Sequence, residues 1–285
     1  IVLVLLIISG YYLIFINSDY ISLEYVQINS SYLISNKYIP NYTSGLTFFI
    51  AVAATNLFHQ GNWQRVYAAK NIKILKKSLL ISFLIIIPIV FLMGFSGLVA
   101  ISLDSKVIPD LAFFFLLLKK QSLTISIVIV ILAISLTISS IDTLINAISS
   151  LIVVDGKKIL NINGDYLKIS KFIIIILSTI AFIIASKGLS ILYLFLLADL
   201  FCCAAVFTVF YSFYSKSLNE KNAYTSIIFG LLLGFLLFPT PDFSKSILVG
   251  ILFPIEFFPQ FMSKSLLFLS FVIATFIPIL AWKIK

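Results

Sequence analysis

Between Ser78 and Ser102 the chain carries 25 residues and no charged side chain. From Ser122 to Ile141 it repeats this over 20 residues. About 20 apolar residues wound as a helix cross the hydrocarbon core of a bilayer. Inside that core backbone groups have no water to bond, which leaves helices and closed barrels as the spanning structures. Composition points the same way. Hydrophobic residues make up 61% of the 285, charged residues 11%, and the mean hydropathy is +1.15. Soluble domains carry about 25% charged residues. An all-α, polytopic membrane protein is expected.

The net charge of +9 does not indicate nucleic acid. The lysines fall in short clusters between apolar runs, which sets topology and forms no phosphate-binding stripe. Cys202 and Cys203 are adjacent and the only cysteines. They read as small buried hydrophobes, not as a disulfide framework or a metal pair. Residue 1 opens inside the run "IVLVLLIISG" without a basic leader, so the sequence is read as a fragment of a longer chain, not as a signal peptide.

Eight spans are expected, at 1–17, 44–64, 78–102, 122–154, 169–186, 189–214, 223–239 and 263–283. Basic residues gather in alternate connectors: Arg65, Lys70, Lys73, Lys76 and Lys77, then Lys157, Lys158, Lys168 and Lys171, then Lys216 and Lys221, then Lys283 and Lys285. The other connectors balance lysine with Asp19, Glu24, Asp104 and Asp110. The positive-inside rule then runs the first span outward from the cytoplasm. The cell membrane is the expected location. Segment 101–121 is expected as an external interfacial helix, and 243–259, broken by Pro, as re-entrant or interfacial.

Three spans carry polar residues. In the second, Asn56, His59, Gln60 and Trp63 recur at helical spacing with Thr55 beside them. A polar stripe in hydrocarbon faces other helices or a water-filled cavity. The alternative is an interfacial helix end, which suits Gln64 and Arg65 better than Thr55 and Asn56. His59, the only histidine, reads equally as a packing residue. In the fourth span Ser135, Ser139, Asp142, Asn146 and Ser149 share one face, flanked by Ser140 and Thr143. A carboxylate at mid-span costs about 2.5–3.5 kcal/mol on the insertion scale and needs a cation, a proton or a basic partner. Oxygen ligands of this kind suit a hard monovalent ion. The alternative is interhelical hydrogen bonding, worth about 0.6 kcal/mol each. In the sixth span, Asp199 among Ala198, Ala204 and Ala205 lines a pathway or holds a helix junction; its sequence context leaves both open.

At these residues the chain resembles the sodium:solute symporter family. "FHQGNWQRVYAAKNIKILKKS" is similar to its Gln-Arg segment followed by a basic cytoplasmic loop. "ISLTISSIDTLINAISSLIVVD" is similar to its Ser/Thr-rich ion-binding helix. The likeness covers roughly 1–240 and implies a partial inverted-repeat fold of the leucine-transporter type. Residues 1–214 would hold the transport core, namely the end of the first repeat and the second repeat, and 215–285 peripheral helices. The second span would be a broken helix, unwound near Ala54–Asn56. The resemblance assigns sodium to the hydroxyls of Ser139 and Ser140 and the carbonyl of Leu136, with a second ion at Ser139, Asp142 and Thr143. Asp142 stands where the family often has serine. The uncharged set Thr55, Asn56, His59 and Gln60 would bind a small neutral or zwitterionic solute.

The expected function is sodium-coupled symport by alternating access, with sodium as coupling ion and no other cofactor. The alternatives are an ion-independent facilitator or channel, and a truncated or sensor-type membrane protein. An enzyme is not expected: there is one His, no HExxH, no Cys cluster and no acid pair at hydrolytic spacing.

Overall fold

A computed structural model describes residues 2–12, 22–119, 121–156, 158, 165–214 and 219–283. Parts of the first span and of the connectors, including Asp19, Lys120, Lys157 and Lys216, lie outside the described residues, as does Lys285. Helices dominate, and among the described residues β-pairing is limited to isolated bridges between Pro239 and Phe253.

The helices start where a polar residue meets an apolar run. Asn71, Ser122, Asp165, Ser190 and Asn219 each accept a bond from a backbone N–H of the first helical turn. Each cap satisfies a donor that the helix cannot. Isoleucine is a modest helix former in water. In hydrocarbon the need to pair every backbone group overrides that preference.

Four helices among the described residues are long and apolar enough to cross a membrane: Ile72–Leu103, Leu123–Gly156, Tyr166–Ala185 and Ile191–Ser212. The protein is therefore helical and membrane-embedded. Among the described residues, the other expected spans form shorter or more polar helices.

The chain divides into two compact units. The first comprises residues 1–34 and 60–187. It contains α1 (Val2–Tyr11), α2 (Leu23–Asn29), α4 (Gln60–Tyr67), α5 (Ile72–Leu103), α6 (Ala112–Leu118), α7 (Leu123–Ser150) and α8 (Tyr166–Ala185). The helix of α7 continues as a π-turn to Gly156. α2 and α6 pack on α5 around Val26, Val99, Ala100, Ala112 and Leu116. Ile85, Ile86, Ile87 and Phe91 of α5 are exposed, as suits lipid contact. α6 sits inside 101–121, where a short interfacial helix was expected.

The second unit comprises residues 35–59 and 188–285. It contains α3 (Ile39–Phe58), α9 (Ile191–Ser212), α10 (Glu220–Leu237), α11 (Gln260–Lys264) and α12 (Leu266–Lys283). Its core joins Ala51 and Ala54 to Leu196, Leu200, Cys203 and Ala204, and these to Phe238, Phe271 and Ala274. α10 packs tightly on α12 through Gly230 and Gly234. A Cβ built on Gly230 would lie 2.6 Å from the Pro278 ring, and one on Gly234 would lie 2.9 Å from Ala274 Cβ. This is small-xxx-small packing, and Ser270 adds a bond to the Gly234 carbonyl at 2.8 Å. Segment 243–259 forms turns tied by backbone bonds such as Ser246 N–H to Val249 O at 2.9 Å and Gly250 N–H to Phe253 O at 2.7 Å.

Candidate functional site

The first cluster lies where α3 ends. The helix is regular through Phe58, so Ala54–Asn56 are helical and not unwound. The interruption falls at His59, with φ −73° and ψ 101°, and α4 starts at Gln60. Asn56 O still accepts the His59 N–H at 3.4 Å, the last bond before the turn opens. The period that placed Asn56, His59, Gln60 and Trp63 on one stripe assumes an unbroken helix. The break at His59 ends that register. Among the described residues His59 Nδ1 is buried without a hydrogen-bond partner. An orphaned buried nitrogen is costly.

The packed face of α3 is Thr43, Thr47, Ala51 and Ala54, at spacings of four, four and three. Thr55 borders this face. Asn56 lies about 100° further round at 3.6 residues per turn. It is exposed, and its amide donates to Val52 O at 2.8 Å.

The second cluster is on α7. Ser140 Oγ donates to Leu136 O at 3.0 Å, and Thr143 Oγ1 donates to Ser139 O at 3.0 Å. The two oxygens that the resemblance assigned to one cation, Leu136 O and Ser140 Oγ, are thus adjacent. Asn146 Nδ2 donates to Asp142 Oδ2 at 3.3 Å. Ser139, Ser140 and Asp142 are exposed, while Leu136 and Thr143 are half-buried. The ion pair among the described residues is Lys168 with Asp165, so Asp142 has no basic partner there. One end of the face is ordinary packing: Ser149 and Ser170 of α8 share a hydrogen bond of 2.9 Å.

The third cluster joins α3 to α9. Thr55 Oγ1 donates to Asp199 Oδ1 at 2.6 Å. Asp199 is 7% exposed. Of the two roles that the sequence left open for Asp199, this contact is a helix junction. The signal was present in the sequence: a lone acid with alanines around it permits close helix approach. Its partner could not be read, because Thr55 and Asp199 are 144 residues apart.

Geometry and composition together define an all-helical, membrane-embedded chain. No family model matches it, and neither a curated protein nor a solved structure matches it.

Proposed function

We propose that this chain is part of a sodium-coupled symporter for a small neutral or zwitterionic organic solute, of the sodium:solute symporter kind. Its fold would be part of the leucine-transporter type, with eight spans, multi-pass in the cell membrane. The observation that carries the reading is the oxygen-rich stretch Leu136–Thr143 on a helix of bilayer length. Ser140 Oγ and Leu136 O lie 3.0 Å apart. Asp142 follows them with no basic partner among the described residues. A carboxylate at that depth needs a compensating charge, and oxygen ligands favour a hard cation.

In this reading Ser139, Ser140 and the Leu136 carbonyl hold sodium, and Asp142 and Thr143 contribute to a second ion. A sodium ion moving inward gains about 2.3 kcal/mol per 100 mV of membrane potential. Thr55, Asn56, His59 and Gln60 would bind the solute, as the resemblance implies; at the end of α3 the His59 Nδ1 lacks a partner among the described residues. Coupling follows if sodium binds more tightly to the solute-ready state than to the other. No covalent step is involved.

The test is uptake of a radiolabelled solute panel into proteoliposomes, with an inward sodium or choline gradient. At least one solute should accumulate only with sodium. Ser140→Ala should raise the half-saturating sodium concentration about tenfold, equal to ~1.4 kcal/mol of ion binding. Uptake indifferent to sodium for every solute would overturn the coupling. Unchanged sodium dependence in the variant would overturn the role of Ser140.

A further inference from the structure

Asp199 is the buried acid that the sodium reading does not use. Its carboxyl lies in the apolar helix α9 and is 7% exposed. Among the described residues its hydrogen-bond partner is the Thr55 hydroxyl at 2.6 Å. A buried charge is sustained only when it is paired and hydrogen-bonded.

Among the described residues Asp199 is in no ion pair: His59, four residues beyond Thr55 at the end of α3, is a titratable neighbour but makes none with it, and Lys264 of α11 is exposed. α3 carries no charged residue; its ionisable Tyr42 is exposed and 13 residues from Thr55, about 20 Å of helix. α10 carries Glu220, Lys221 and Tyr224. They lie at its far end, because Gly234 is the residue that meets Leu200, and 14 residues of helix separate it from Glu220, about 21 Å. α12 has no charged residue from Leu266 to Leu280. The charges of the 239–259 loop, Asp242, Lys245 and Glu256, are all exposed. On α9 itself the ionisable neighbours are Tyr193, Cys202, Cys203 and Tyr211, none of them a cation. A carboxyl in this setting takes its compensation from a proton or from a bound metal cation. One hydroxyl and one carboxyl are too few oxygens for an alkali ion, which replaces its hydration shell with several.

We propose that Asp199 and Thr55 form a proton-binding site in the membrane interior of the second unit. The proton resides on Oδ2 of Asp199 while Thr55 continues to donate to Oδ1. The site draws on none of the sodium ligands assigned to α7. The site stands as a binding site whether or not sodium transport is observed.

The test is covalent labelling of the full chain with dicyclohexylcarbodiimide, an apolar reagent that adds to protonated carboxyl groups, read by peptide mass spectrometry. No transport assay is needed, so failure here is distinct from failure of sodium-coupled uptake. At neutral pH Asp199 should be labelled, and exposed Asp242 should not. Replacing choline with sodium should leave the Asp199 label unchanged. Asp199→Asn keeps the shape in neutral form. It should lose the label and retain the wild-type elution profile in detergent. Thr55→Val should keep the label, because the proton sits on the acid. An unlabelled Asp199 at neutral pH would overturn the proposal. So would protection by sodium, which would make the group a metal-cation ligand.

Discussion

Asp242 sits in the turn after α10 and accepts hydrogen bonds from the hydroxyls of Ser244 and Thr240. These bonds, Ser244 first, lower its pKa from 3.8 to about 2. A carboxyl lowered on folding stabilises the fold above its unfolded value. That contribution fades as pH falls from 3.8 through about 2. The carboxyl carbon shift of Asp242 should therefore titrate near 2 in the folded chain, and Ser244→Ala should move the midpoint upward. A wild-type midpoint at the ordinary value would refute the turn geometry. Legibility in the sequence was uneven at this scale. Asp142 and Asp199 stood out because carboxylates are rare in apolar helices. Asn146, the partner of Asp142, already stood on its helix face four residues on, whereas the partner of Asp199 did not stand out. Periodicity ranks positions around one helix, whereas the Thr55–Asp199 bond depends on which helices pack together. The same limit explains Asn56: the stripe was drawn through Asn56 with Thr55 beside it, whereas it is Thr55 that meets another helix, and one residue moves a side chain by about 100°.

Among the helices, Gly230 and Gly234 are the positions with least tolerance. Residue 278 is proline and offers no N–H to the Ala274 carbonyl. Gly230 faces both the Pro278 ring and that carbonyl, which would lie 3.0 Å from an added Cβ. Gly230→Ala should then destabilise by about 1–3 kcal/mol, the usual penalty of overpacking. Gly97 of α5 has nothing within 4 Å of an added Cβ. Gly97→Ala should be neutral, or stabilising by up to about 1 kcal/mol from helix propensity. Thermal unfolding of the two variants in the same detergent compares them, and equal melting points would remove the α10–α12 contact from the account. The sequence carried this contact as "GLLLG" at 230–234, read there as one more apolar run. Helix positions were otherwise legible, because caps and apolar length mark them: 169–186 was expected and Tyr166–Ala185 is found. The start of α5 was placed late, since Lys73, Lys76 and Lys77 were counted as loop although they sit on its first turns. The break at His59 was placed three to five residues early, near Ala54–Asn56, where the resemblance put it and where the helix is regular.

For the molecule as a whole, orientation is the property that the sequence addresses most directly. α5 has 32 residues, about 48 Å of helix at 1.5 Å per residue. A hydrocarbon core of about 30 Å leaves roughly 18 Å of that length outside it. Lys73, Lys76 and Lys77 occupy one end of α5, and Asp104 and Lys106 follow the other. Between them lies the uncharged stretch Ser78–Ser102. The two charged ends cannot share a side if that stretch crosses the bilayer. The excess of lysine at the Lys77 end assigns it to the cytoplasm. A membrane-impermeant maleimide applied to intact cells should label Lys106→Cys, and should label Lys77→Cys only after permeabilisation. The native pair Cys202 and Cys203 lies within α9 and sets the background. Labelling of both positions from outside would mean that α5 does not span. Labelling of Lys77→Cys alone from outside would keep the span and invert the topology. With a site at mid-membrane that opens to each side in turn, sodium could still reach α7, so this outcome would revise the orientation of the chain and leave the coupling to the uptake test.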